Sequence, residues 1–82
     1  MYMNSEVFDK VKEILIENFF VDEEKITESA SFLDDFGLDS LMCMELLLQA
    51  EEVFNVKIDP EDVSKVVKVS DAVKLISDKI GE

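Results

Sequence analysis

The sequence predicts an all-α domain, a four-helix bundle whose third helix is short and whose first two helices are joined by a long loop. Three observations carry this expectation. Apolar residues recur at Val7, Val11, Ile14 and Leu15, the i, i+4, i+7, i+8 spacing of an amphipathic helix. Asp59-Pro60-Glu61-Asp62 combines a capping aspartate, a proline suited to the first helical position and acids favoured by the positive end of the helix dipole. Near the end of the chain, Ala72, Val73, Ile76 and Ile80 form another helical stripe, with Ser70 as a cap before it and Gly81 as a stop after it.

The elements follow in order. Asn4 or Ser5 can cap the first helix, which is expected to end near Phe20. From Val21 to Asp39 no period is sustained, and a loop of that length in a compact domain usually signals function or disorder. Ile26, Phe32, Phe36 and Leu38 are spread along it and can pin it against the helices, so it reads as ordered. Gly37 can supply a turn with φ > 0 before the next helix. That second helix should run from Ser40 to about Phe54, with Asp39 as its N-cap. The short third helix opens at Pro60 and should end near Val66 or Val67. No internal repeat, low-complexity tract or linker interrupts residues 1–82, which read as one domain.

Composition limits function. Nearly half of the 82 residues are apolar, enough for one core, although a chain this short buries only about 60% of its unfolded surface. No apolar run approaches the roughly 20 residues that span a bilayer. Met1 to Glu6 contains no secretory signal pattern. Cys43 is the single cysteine, which excludes an internal disulfide framework. A cytoplasmic monomer is the simplest expectation, or residence in a plastid or mitochondrial matrix after removal of a presequence.

Charge is more specific. Twenty carboxylates face eight lysines and no arginine, a net of −12. Between Asp22 and Asp62 lie 13 carboxylates and two lysines, Lys25 and Lys57, a net of −11. The remaining seven carboxylates and six lysines sum to −1. The mid-chain field repels nucleic acid and anionic membranes and steers basic protein partners inward.

Several chemistries are absent. There is no histidine, so histidine triads and histidine metal sites are excluded. Gly37 and Gly81 are the only glycines, too few for a phosphate loop, and the acids do not follow the spacing of a calcium loop. What stands out is Ser40, at the first turn of a helix behind a capping aspartate. Backbone N–H groups and the helix dipole there favour an attached phosphate, by about 0.3–1 kcal/mol at an exposed site. That is enough to position a phosphodiester but not to capture one.

The helix beginning at Ser40 is apolar around its circumference: Leu41 to Leu48 contains one polar residue, Glu45. Such a helix is normally buried on all sides, which a bundle this small cannot arrange. Leu46, Ala50 and Phe54 suit the core. Met42, Met44 and Leu48 are then expected to line a cavity or form an exposed contact patch.

The run Ile26-Thr27-Glu28-Ser29-Ala30-Ser31-Phe32-Leu33-Asp34-Asp35-Phe36-Gly37-Leu38-Asp39-Ser40-Leu41, followed by Glu45-Leu46, resembles the modification segment of acyl carrier proteins. The similarity continues through Glu51-Glu52-Val53-Phe54, Asp59-Pro60-Glu61-Asp62 and Val69 to Ile76, while the first helix matches in pattern only. The resemblance implies that a phosphopantetheinyl transferase moves 4′-phosphopantetheine from coenzyme A onto Ser40, flanked by Asp39 and Leu41. The arm then carries acyl groups as thioesters between acyl-transferring and chain-elongating enzymes of fatty-acid, polyketide or related synthesis. It further implies a non-catalytic role and docking by basic patches of those enzymes. Asp39 and Glu45 match acidic partner positions, with Glu51 and Glu52 further along and Leu41, Met42, Met44 and Leu48 completing a mixed surface. Cys43, Leu46 and Leu47 fall where the family shelters an acyl chain. The chain departs from the family pattern at Met42 and Val53, where acids are usual, and at Ser64, which interrupts the acidic run of the short helix. These departures fit a specialised carrier with its own partner set. A peptidyl or D-alanyl carrier and an unmodified acidic interaction domain are the alternatives. The former usually shows Gly-Gly-x-Ser, which Gly37-Leu38-Asp39-Ser40 lacks.

Overall fold

The computed structural model describes residues 5–81. The chain is mostly helical: α1 (Ser5–Phe19), a 3-10 turn (Glu23–Lys25), α2 (Phe32–Phe36), α3 (Ser40–Phe54), α4 (Pro60–Val63) and α5 (Val69–Ile80). Three of the five helices are long, and no strand occurs among the described residues. One isolated antiparallel bridge joins Ser31 to Lys68.

The amphipathic stripes become the core as expected, except that Ile80, the last residue of the final stripe, is exposed. Val7, Val11, Ile14 and Leu15 of α1 meet Cys43, Leu46, Leu47 and Ala50 of α3 and Val69, Ala72, Val73 and Ile76 of α5 in one buried cluster. Phe32, Ile26 and Leu38 are buried in the same cluster and Phe36 is half-buried against it, so the connection between α1 and α3 is pinned at the residues expected to pin it.

That connection is not, however, a stretch without regular elements. Ser31 caps α2: its Oγ accepts from the Asp34 amide at 3.1 Å, while its own amide donates to Asp35 Oδ2 at 2.6 Å. Reciprocal capping of this kind satisfies donors at both sides of a helix start. Gly37, at φ 72°, closes α2 by donating to Leu33 O. A short backbone ladder then ties this connection to the one before α5. Phe32 N donates to Val67 O at 3.0 Å, Val69 N to Ala30 O at 3.0 Å and Ser70 N to Glu28 O at 3.0 Å.

The ladder explains two further differences. The short helix ends at Val63 rather than near Val66 or Val67. Ser64 Oγ turns back to Glu61 O at 2.9 Å, and Val67 must leave the helix to offer its carbonyl to Phe32. The last helix opens at Val69, so Ser70 lies inside it and Lys68 takes the cap position. A lysine ammonium has no lone pair to accept an amide. Asp71 caps from within instead, its Oδ2 accepting from Val67 N at 3.0 Å and Lys68 N at 2.9 Å. At the other end of the chain, α1 stops at Phe19, one residue earlier than expected; Ser5 is its first residue, and Asn4 lies outside the described residues.

Three ion pairs occur among the described residues: Lys10–Glu13, Lys12–Glu23 and Lys79–Asp62, at 3.3–3.5 Å. Only Glu23 and Asp62 belong to the acidic middle of the chain, so most of its repulsion is uncompensated. Screening over a Debye length of about 10 Å at 0.1 M salt should therefore raise the melting temperature as sodium chloride goes from very low to moderate concentration. Thermal unfolding followed by circular dichroism measures this. A flat or falling trend would show that the fold already neutralises its own field.

Candidate functional site

Ser40 is the first residue of α3 and is exposed. Its position is set by what precedes it. Gly37 ends α2, Leu38 is buried and donates its amide to Phe32 O at 2.8 Å, and Asp39 is extended at φ −78° and ψ −177°. Asp39 is the N-cap that the sequence predicts: its Oδ1 accepts from Met42 N at 3.0 Å and its backbone O from Cys43 N at 3.0 Å. Not every first-turn amide is therefore available to a ligand. Those of Ser40 and Leu41 have no intrahelical acceptor, and they flank the hydroxyl.

This geometry fits a phosphodiester on Ser40. The hydroxyl is open, Leu41 beside it is 72% exposed, and two N–H groups at the positive end of a 15-residue helix are near. Asp39 holds the helix start through the bond from Met42 N to its Oδ1.

The rest of α3 divides into two faces. Cys43, Leu46, Leu47 and Ala50 are buried. Leu41, Glu45, Leu48 and Glu52 are all exposed and follow the spacing i, i+4, i+7, i+11, so acid and apolar residues alternate along one stripe. Met42 and Met44, 40% and 39% exposed, flank that stripe and point out of the core. A helix apolar all round is thus buried on one side and presents leucines and methionines on the other. Val53 is exposed as well.

Glu51 differs from its neighbours. It is half-buried, and its Oε2 accepts from Ile58 N at 2.6 Å, fastening the chain after α3. Nothing in the local pattern announces that bond, since the two residues are seven apart. The Cys43 thiol is pushed above its ordinary pKa, first by burial and then by the negative charge of Asp39, so it stays neutral near pH 7 beside the exposed serine.

Residues 9–76, most of the chain, match the family model described as "Phosphopantetheine attachment site". Among solved structures, the acyl carrier protein from Thermotoga maritima is similar: the TM-score is 0.82 and the identity 29%, over 93% of this chain and 88% of that one. An exposed serine opening a capped helix, a mixed acidic and apolar face behind it, and agreement in family and fold lead to one conclusion. The chain belongs to the acyl carrier protein family, non-catalytic carriers whose prosthetic group is 4′-phosphopantetheine.

Proposed function

We propose that this protein carries acyl intermediates as thioesters on a phosphopantetheine arm joined to Ser40 Oγ, for fatty-acid, polyketide or related acyl-chain synthesis. The observation that carries the reading is the exposed Ser40 hydroxyl at the start of α3, beside amides that no helix carbonyl accepts. The arm, when attached, supplies a thiol on a flexible tether. Everything else falls to the chain's own residues. Ser40 Oγ attacks the β-phosphorus of coenzyme A: the Oγ–P bond forms and the bond to the nucleotide phosphate breaks. The serine proton passes to a base of the transferase, and the nucleotide leaves as adenosine bisphosphate. Asp39 fixes the helix start, and the Ser40 and Leu41 amides favour the new negative charge. Cys43, Leu46 and Leu47, packed beneath the site, are the residues that would part to shelter a cargo chain.

Loading tests the reading directly. Incubation with coenzyme A and a broad-specificity phosphopantetheinyl transferase should add the mass of one arm; no gain would leave an unmodified acidic interaction domain. The acyl group found on protein purified from its native host then separates an acyl carrier from a peptidyl or D-alanyl carrier.

The outward stripe of α3 is the proposed docking face for transferase and acyl-handling enzymes. Asp39, Glu45 and Glu52 speed encounter with basic patches, and Glu51, with one oxygen committed to Ile58, adds mainly charge. Leu41 and Leu48 provide apolar contact. Met42 and Met44 adapt to differing surfaces without a fixed shape, and stand in for part of the recognition that carboxylates give related carriers. Met42→Asp should therefore improve transfer by a generic fatty-acid enzyme and impair transfer by the cognate one, whereas Glu45→Lys should weaken both several-fold. Steady-state transfer assays read the contrast. Unchanged rates for Met42→Asp with both enzymes would remove Met42 from recognition.

A further inference from the structure

Four described residues have positive φ: Phe20 at 58°, Gly37 at 72°, Asn55 at 56° and Gly81 at 101°. Each lies just past a helix, α1, α2, α3 and α5 respectively. At three of them the chain uses glycine or asparagine, the residue types that reach the left-handed region most cheaply. At the fourth it uses phenylalanine, and a bulky residue there is a genuine outlier.

Packing does not offset the strain. Phe20 is 87% exposed, more than any other large apolar side chain described. The backbone holds it in place from both sides. Phe19 packs against the core, Val21 is buried, and Val21 N donates to Leu15 O at 3.2 Å across the end of α1. The turn is therefore over-determined by its neighbours while the ring itself stands in water, as expected where strain serves a function. Asp22, Glu23 and Glu24 follow it and are exposed.

We propose that Phe20 is an aromatic anchor that seats in an apolar, basic-rimmed socket on the enzyme that loads the acyl group. Charge selects a protein of that kind. A second copy of this chain also carries −12 and is repelled, as is an anionic lipid surface. Glu23 is paired with Lys12, but Asp22 and Glu24 take part in none of the ion pairs among the described residues and attract a basic rim. A single aromatic side chain filling a pocket can dominate the affinity of an interface. Among basic partners, the loading enzyme meets the carrier after the transferase has added the arm and before any cargo marks it, so its choice has to rest on the carrier's own surface. The proposal rests on the carrier reading above and adds the end of α1 to the partner surface on α3.

The test uses holo protein as the varied substrate of the host's acyl-loading enzyme. Phe20→Gly and Phe20→Asn relieve the backbone, so their melting temperatures should rise by about 4 °C, while KM for the carrier rises about tenfold. Phe20→Trp keeps a ring at the site and should hold KM near the wild-type value. A lower melting temperature for Phe20→Gly would make Phe20 a structural residue, and an unchanged KM would remove it from docking; either result overturns the anchor. Intact mass after treatment with coenzyme A and transferase is measured in parallel. Wild type that takes an arm, together with an unchanged KM for Phe20→Gly, sinks the anchor alone. Wild type that takes none sinks the carrier reading.

Discussion

Ser40→Ala is expected to abolish loading by coenzyme A and transferase while leaving the fold as stable as wild type. Ser40 is exposed at the first position of α3, and no side-chain bond of the fold depends on it. Alanine is a better helix former, so the change in stability should stay within about 0.5 kcal/mol. The loss of loading should be complete, because alanine has no oxygen to attack phosphorus. Cys43 cannot take over. It is buried and its thiol is held in the neutral form by burial and by Asp39. Intact mass and a thermal melt on the same sample separate the two effects. A variant that still gained the arm would show that attachment lies elsewhere.

Phe32→Ala should produce the largest loss of stability. The ring is 1% exposed, and it meets Phe36 edge-on with centroids 5.9 Å apart. Removing a buried phenylalanine typically costs about 3–5 kcal/mol. An 82-residue domain has roughly 4–12 kcal/mol in total, so the melting temperature should fall by at least about 12 °C. The same residue receives Leu38 N and donates to Val67 O, which links the approach to Ser40 with the start of α5. Loading of the variant should therefore fail at lower temperature than loading of wild type. Circular dichroism melts measure the stability change. A loss under about 1 kcal/mol would mean that the core closes without this ring.

What could be read from the sequence follows from the kind of signal each element emits. α1 and α5 are long enough for a 3.6-residue period to show, and their buried stripes are the expected ones except at Ile80, which is exposed at the last residue of α5. Asp39 and Pro60 mark helix starts by local chemistry alone. α2 is only five residues long, too short for a period, and its one sign was Ser31 followed by Asp34 and Asp35. The ladder between Glu28–Phe32 and Val67–Ser70 depends on residues some forty positions apart, which no local pattern encodes. It also moved the boundaries of α4 and α5. At the site, the serine, its cap and the mixed face of α3 were legible because each is a residue type at a helical spacing. Phe20 was not, since its sequence context suggests only the end of an amphipathic helix. Its strain and exposure exist only once the neighbours on both sides are packed.

If the carrier reading holds, the chain works through one arm on one serine. The chain holds seven serines: Ser5, Ser29, Ser31, Ser40, Ser64, Ser70 and Ser77. Digestion of the loaded wild-type protein and fragmentation of the modified peptide assign the arm to a residue. The phosphopantetheine is expected wholly on Ser40, with the other six serines and Cys43 unmodified. An arm on any other residue, or a chain that takes no arm from coenzyme A, would contradict it.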